Sequence, residues 1–414
     1  MNDISWHNFQ TGDNQNGAPI LTIREDLQRN VVRAGVDNLY YNNMAELIRG
    51  SSIARSCAEV RSRFIIGDGF VIDNEDTGQQ YFYNQILAKQ ILNKIAVDMA
   101  WFGGFALLIR YNALAQITEI KHIDYASVRL CPIPENGVEP EFAQISTDWR
   151  YAYSNQHHWA TPRQLRIFTG NAETILADQR KYSKQYLGEL IYIKPYSPGT
   201  YYYSPPVWAG AADRLQVDQA MGQYHAYNTK NGFFPGMMLY MPGTDWDQTD
   251  ENGTTRKDAF QKWFDQKFRG ARSAGEVIKL YGETADQIPQ PVNFQPNVNG
   301  EMFISLEKNT VKYIPIAFQI PPILIGISES GKLGQSQNLL DEMEMFQNNI
   351  IAPEQDLISQ TLAALQAIAL NYSGKSACHI RQRKPISYLS DAVIAVMTVN
   401  EIRQHAGLAP LANE

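Results

Sequence analysis

The sequence predicts an α+β fold, and three observations carry that prediction. Apolar residues recur at helical spacing between Asn84 and Phe102, a β-rich stretch follows as far as Tyr196, and the rest of the chain is dominated by long helical patterns. With 414 residues and 44% apolar side chains, the chain is long enough for two or three domains with cores of their own.

In the first helix, Leu87, Ile91, Ile95, Asp98/Met99 and Phe102 form one stripe, and Gly103 with Gly104 stop it. The segments "FALLIRYN", "QITEIKHI", "SVRLCPI", "QLRIFTG" and "ELIYIKPY" then read as strands, being rich in β-branched and aromatic residues and punctuated by Pro, Gly and Asn. At "YYYSPPVWAGA" the character changes. Ser204 is placed as an N-cap with Pro205 and Pro206 in the first turn, where a missing N–H costs nothing. Trp208, Ala211, Leu215, Ala220, Tyr224 and Tyr227 mark the face of this helix, and Gly232 is placed to end it in a left-handed cap. A helix of about 25 residues at 1.5 Å per residue makes a strut about 37 Å long.

A compact insertion follows over residues 233–292. "GMMLYMPG" and "GEVIKLYG" read as two short strands, and between them Phe260, Trp263, Phe264 and Phe268 fall at i, i+3, i+4 and i+8 of a short amphipathic helix. From Arg256 to Lys279 seven basic residues stand against three acidic ones, a local positive excess inside an acidic chain. A solvated helix face is the ordinary meaning of such a run; a docking knob for another macromolecule is the sharper one.

From Glu301 to Ile320 a second helical pattern carries Phe303, Leu306, Tyr313 and Ala317; Pro315 inside it predicts a kink or a split, and Pro321 with Pro322 end it. Beyond a glycine loop, Leu339, Met343, Phe346, Ile350, Pro353 and Leu357 and, after a small drift, Ile358, Leu362, Leu365 and Ala369 predict a long helix bent at Pro353. Near the end Thr398 and Glu401 form a capping box, Asn400 and Arg403 share the short helix it opens, and Gly407 terminates it.

Several function classes lose support at this level. Cys57, Cys131 and Cys378 are odd in number and far apart, which suggests neither a disulfide framework nor a zinc site and points to a reducing compartment. The first twenty residues lack a basic start followed by an apolar core and read as a loosely ordered arm. No run of about 18 apolar residues is present to span a bilayer. A net charge of −7 argues against gripping nucleic acid by general phosphate neutralisation.

The stretch "GISESGKLGQSQN" comes close to a nucleotide-binding P-loop, with Gly326, Gly331 and Lys332 in place. Its context fails three times: Leu333 stands where a magnesium-binding hydroxyl belongs, only the four residues "ILIG" can form a strand leading in, and no apolar run ending in Asp follows. A mobile polar loop between two long helices is the reading that remains, with a nucleotide-dependent DNA enzyme as the alternative. His157 and His158 are adjacent and cannot share a metal from one regular face. His122 beside Asp124 reads as a structural histidine, and Tyr201, Tyr202, Tyr203 and Trp208 read as packing at a domain junction. The residues offer no catalytic group, metal site or cofactor site.

The order of "YYYSPPVWAGA", "NGFFPGMML", "IAFQIPPILIG", "FQNNIIAPEQDLISQTL" and "MTVNEIRQHAGLAPL" resembles the portal proteins of tailed bacteriophages, over about Asn84 to Leu411. The resemblance implies a portal fold: an N-terminal arm and α/β wing (1–206), a first stem helix (207–232), a small αβ clip (233–292), a second stem helix (293–325), a tunnel loop (326–337), a long wing helix (338–370) and a short helical crown (371–414). It implies a non-enzymatic ring, usually of twelve copies, at one capsid vertex, with double-stranded DNA passing through its channel without sequence specificity. Ile327, Ser328, Glu329, Ser330, Gly331, Lys332, Leu333, Gly334 and Gln335 would line the channel. Arg256, Lys257, Lys262, Lys267, Arg269 and Arg272 would form the clip surface that meets terminase and later a head–tail adaptor. Major capsid and scaffold proteins are the other implied partners, with assembly in the host cytoplasm, residence in the virion and no membrane. A different phage structural protein is the remaining alternative.

An acidic channel suits a cargo that must slide. Gly326, Gly331 and Gly334 would let the loop shift while Lys332 touches phosphate transiently. Exposed clip strand edges would pair with a neighbouring subunit.

Overall fold

The structure is a computed structural model that describes residues 18–72, 85–231, 237–242, 246–249, 253–260, 262, 277–282, 300–327, 335–370, 378–382, 396–405 and 411. The chain divides into two units, one of Met1–Pro19, Met44–Arg55 and Gly210–Ile314, the other of Ile20–Asn43, Ser56–Ala209 and Pro315–Glu414.

The larger unit opens with a hairpin, β1 (Ile23–Asp26) against β2 (Val31–Ala34). Two helices follow in the chain, α1 (Tyr40–Gly50) and α2 (Ser52–Ile66), whose stretch Met44–Arg55 belongs to the smaller unit; then come β3 (Phe70–Ile72) and α3 (Gln85–Phe102). A mixed six-stranded sheet comes next: β4 (Phe105–Tyr111), β5 (Ile117–Ile123), β6 (Val128–Leu130), β7 (Phe142–Ile145), β8 (Arg163–Ile167) and β9 (Glu189–Ile193), in spatial order β5-β4-β9-β8-β7-β6. Neighbours are antiparallel except β8 and β9, which are parallel because α4 (Ala172–Tyr182) carries the chain across between them. The first five residues of β4 are buried, as expected of a strand flanked on both edges and covered on both faces. Asn171 caps α4, its side chain accepting from the Glu173 and Thr174 amides at 2.8 and 3.3 Å.

An aromatic cluster fills the core. Tyr41 stands edge-on to Phe102, Tyr125 and Tyr203, with ring centroids 5.7, 5.1 and 6.1 Å away, and Tyr125 stacks on Tyr192 at 4.9 Å. Arg129 is fully buried beside it. Its donors are spent on oxygens: the Asn38 side chain at 2.8 Å and the Asn38, Ala126 and Val128 carbonyls at 2.7, 2.9 and 2.7 Å. Burial in these apolar surroundings lowers its pKa, and the nearby Tyr203 and Tyr41 oxygens oppose that shift.

The first strut begins differently from expectation. Ser204 is not an N-cap: its hydroxyl donates to the Pro195 carbonyl, and its own carbonyl accepts from the Tyr41 hydroxyl at 3.0 Å. Held in that buried loop, it leaves the chain to start as a 3₁₀ turn at Val207–Ala211 before α5 (Ala212–Asn231). Trp208 in that turn is buried and stacks on Phe318 at 5.3 Å with 6° between the rings.

In the smaller unit, α5 and the part of α6 (Gly300–Ala317) up to Ile314 meet where the Arg214 guanidinium lies 4.3 Å from the Tyr313 ring centroid. Ser51 donates to Asp218 at 2.7 Å in the same unit. The two short strands of the insertion are β10 (Met237–Pro242) and β11 (Val277–Gly282), paired in parallel from Met237↔Val277 to Pro242↔Gly282. Residues 256–260 and 262 are helical. Thr255 caps this turn, accepting from the Asp258 amide at 3.1 Å.

Pro315 does not split α6 but sits in its last turn. The helix closes with the Ile320 amide on the Pro315 carbonyl and the Gln319 amide on the Ile316 carbonyl, both at 2.9 Å, and Gln319 at φ 57. That is a Schellman closure with glutamine in the left-handed position glycine usually takes. "PILI" then forms a 3₁₀ turn, Pro322–Ile325, rather than a strand.

The long helix is interrupted once. α7 (Gln335–Phe346) runs into a π turn at Gln347–Ile351, closed by the Ala352 amide on the Gln347 carbonyl, before α8 (Ala352–Leu370). The widened turn ends just ahead of Pro353, which has no amide to offer an α-type bond. β12 (Cys378–Ile380) returns antiparallel to β3. α9 (Val399–His405) opens on the capping box, Thr398 accepting from the Glu401 amide at 3.3 Å and Glu401 from the Thr398 amide at 2.8 Å. Gly232 and Gly407, expected to end helices, lie outside the described residues.

Candidate channel and docking segments

The glycine loop is described at its two feet. On one side Gly326 adopts φ 83, and an added Cβ would meet nothing within 4 Å, so its backbone conformation alone calls for glycine. The Gly326 and Ile327 amides close back on the Ile323 and Pro322 carbonyls at 3.1 and 3.0 Å. On the other side Gln335 opens α7. Ser328, Glu329, Ser330, Gly331, Lys332, Leu333 and Gly334 lie outside the described residues. A P-loop hangs from a strand, and a 3₁₀ turn stands here in its place.

A polar network that sequence reasoning missed joins α2 to the end of α6 and to the start of α8. Arg61 of α2 donates to the Phe318 carbonyl at 2.7 Å and pairs with Glu354 at 2.6 Å. Burial raises the pKa of the Glu354 carboxyl, and Arg61 opposes that shift. Gln355 donates to the Phe64 and Ile65 carbonyls at 3.0 and 3.1 Å, satisfying the C-terminal turn of α2, and accepts from Gln347 at 3.0 Å. Its α2 partners lie about three hundred positions away in sequence, so no local spacing signals them.

Of the basic residues in the insertion, Arg256, Lys257 and Lys262 are exposed. The Arg256 guanidinium lies 5.7 Å from the Trp246 ring centroid, and that ring stands edge-on to Phe260 at 6.0 Å. Lys267, Arg269 and Arg272, with Trp263, Phe264 and Phe268, lie outside the described residues.

The remaining motifs are structural. His122 lies 2.7 Å from Asp98, whose carboxylate also accepts from the Tyr125 amide at 3.1 Å. Burial pushes the Asp98 carboxyl up to about 6, against the pull of His122. His157 meets the Ser154 hydroxyl at 3.0 Å and stacks on Tyr151 at 4.4 Å. Tyr203 donates to the Val32 carbonyl at 2.5 Å and accepts from the Leu130 amide at 2.9 Å, while Tyr202 donates to Glu25 at 2.5 Å. Among the described residues no three His, Cys, Asp or Glu side chains gather as a metal site, and no helix is long and apolar enough to cross a membrane.

The chain is similar to several known proteins. A curated protein of Rickettsia bellii (strain RML369-C), described only as uncharacterized, is 21% identical over 231 residues, 54% of this chain and 56% of that one, so the chain matches little more than half of that relative's length. Two solved structures, described as "Virion of native gene transfer agent (GTA) particle" and "Neck of native GTA particle computed with C12 symmetry", each superpose with a TM-score of 0.48 at 12% identity, covering 89% of this chain and 94% of the other. The sequence model of the family described as "Phage portal protein" matches residues 86–407, from the first turn of α3 to beyond α9. The chain belongs to the phage portal protein family.

Proposed function

We propose that this chain is the subunit of a portal ring, set at one vertex of a capsid, through which double-stranded DNA enters and leaves. The observation that carries the proposal is the family match over residues 86–407, on a chain in which two helices, α5 and α6, bracket a small β10–β11 unit and a glycine loop follows. In this reading α5 and α6 are the stem helices, the insertion is the clip, residues 326–337 form the tunnel loop and α7 with α8 form the wing helix. The loop touches DNA without reading it, and the net charge of −7 keeps the duplex from adhering. The exposed cations Arg256, Lys257 and Lys262 belong to the clip face that receives the packaging terminase and then the head–tail adaptor. Capsid and scaffold proteins are the remaining partners, assembly takes place in the host cytoplasm, and no catalytic step is assigned.

Electron microscopy of the purified chain, with light scattering at high concentration, tests the proposal. Closed rings with a central hole, near twelve subunits, are expected; a chain that stays monomeric across the concentration range overturns it.

A further inference from the structure

β8 is paired along most of its length on one side and over only two residues on the other. β7 faces Arg163, Gln164, Leu165 and Arg166 in register, whereas β9 meets β8 only at Arg166↔Glu189 and Ile167↔Leu190. Gly188 stands at this point. With φ +119 it turns the chain away just ahead of β9, and a Cβ there would sit 2.1 Å from the Ile109 carbonyl oxygen, so no other residue fits the bend. A wedge of 610 Å³, within the size range of ligand pockets, lies between the first half of β8 and residues 184–188, with Phe142 of β7 and Asp178 and Tyr182 of α4 also in its lining.

The backbone edge facing the wedge can be identified. Successive residues of a strand direct their N–H and C=O groups to opposite sides. The Ile167 amide binds the Glu141 carbonyl at 2.8 Å on the β7 side, and the Phe168 amide binds the Leu190 carbonyl at 2.9 Å on the β9 side. By that alternation the N–H and C=O of Gln164 face the wedge, and among the described residues no strand pairs with β8 there. Leu165 and Leu187 line the wedge, and Tyr186 on the same wall keeps a buried hydroxyl with no hydrogen-bond partner.

Charge narrows the choice of occupant. Arg166 is already answered by Asp178 at 2.5 Å and Glu141 at 3.7 Å. Arg163 and Lys184, both exposed at the rim, have no ion-pair partner among the described residues. Two uncompensated cations at an open strand edge, in a chain of net charge −7, favour an anionic and extended partner.

We propose that this wedge is a docking groove for an extended acidic segment of a partner protein. The segment adds along β8, exchanges backbone hydrogen bonds with Gln164, and sets carboxylates against Arg163 and Lys184. The assignment stands apart from the portal reading.

Fluorescence polarisation on the full-length chain tests it, with the labelled peptide acetyl-Val-Glu-Val-Glu-Val-Glu as probe. Saturable binding is expected, at least tenfold tighter than for the same peptide with Lys in place of Glu, and at least tenfold weaker once alternate peptide nitrogens are methylated to block strand pairing. Arg163→Glu and Lys184→Glu, both on exposed side chains, should each weaken binding tenfold or more with the melting temperature unchanged. Absence of binding at millimolar peptide, equal binding of the Lys peptide, or indifference to N-methylation overturns the proposal. Binding that appears only when residues 1–17 are deleted, or only in unassembled subunits, also overturns it, assigning the groove to the chain's own arm or to a neighbouring copy.

Discussion

The Arg61 guanidinium is held between the Glu354 carboxylate at 2.6 Å and the Phe318 carbonyl at 2.7 Å. One side chain of α2 therefore ties the end of α6 to the start of α8. The pair is buried, its side chains 5% and 15% exposed, and the second Glu354 oxygen has no partner.

Arg61→Ala leaves that carboxylate buried with no counter-charge and should cost about 3–5 kcal/mol in urea denaturation. The double variant Arg61→Met with Glu354→Leu should recover most of the loss, since it removes the buried charge together with its partner. Because the folded Glu354 pKa is raised, the folded state holds its proton more tightly than the unfolded one. Its contribution is most favourable at low pH and falls as pH rises, and Arg61→Ala should steepen that fall.

Gln319→Gly should stabilise the protein by about 1 kcal/mol, because glutamine at φ 57 bears the left-handed penalty that glycine avoids. A rise in melting temperature with unchanged assembly checks this.

Asp98 links stability to pH. Burial holds its carboxyl up at about 6, above the usual carboxylate range. Wild type should lose up to about 3 kcal/mol relative to Asp98→Asn as pH rises from 4 to 6, at about 1.4 kcal/mol per pKa unit. Parallel denaturation curves for the two proteins across that range would contradict the assignment.

Shortening the loop between Ser328 and Gln335 should leave rings intact while impairing DNA packaging or retention. Counting filled particles against rings separates the two effects, and normal genome retention would remove the loop from the mechanism.

Reversing Arg269 and Arg272 to Glu should weaken terminase or adaptor binding, read by pull-down at two salt concentrations. Unchanged binding returns the basic run to an ordinary solvated surface.

Much of this fold is legible in residue spacing. The stripe of α3, the strands β4, β5, β6, β8 and β9, and the capping box of α9 all follow from local periodicity and punctuation. α1, α2 and α4, and the strands β1, β2, β3, β7 and β12, are not signalled by local spacing; β7 is only four residues long, and α4 has just Ile175 and Asp178 buried. The long helix is the instructive case. The apolar series through Ile350 and Leu357 suggests one seam, yet Leu357 is 37% exposed, and burial follows Gln347, Ile351, Gln355, Ile358, Leu362 and Leu365. The π turn holds one residue more than an α turn, and the small drift in the sequence pattern is that extra residue. The contacts of Arg61 and Trp208, and those of Gln355 with α2, are not legible, because they run to partners a hundred or more positions away, beyond the reach of local spacing.

The stack of Trp208 on Phe318 brings together the point where the chain departs into α5 and the point where it comes back from α6. Residues 209–317 are thus an excursion clasped at its base, like an inserted domain whose ends already touch. Such a cassette lends itself to exchange between relatives: a transplant that keeps both aromatic rings, and Ser51 opposite Asp218, would bring a new α5, β10–β11 pair and α6 to an old β4–β9 sheet. The clasp makes the excursion a unit for engineering, and for descent.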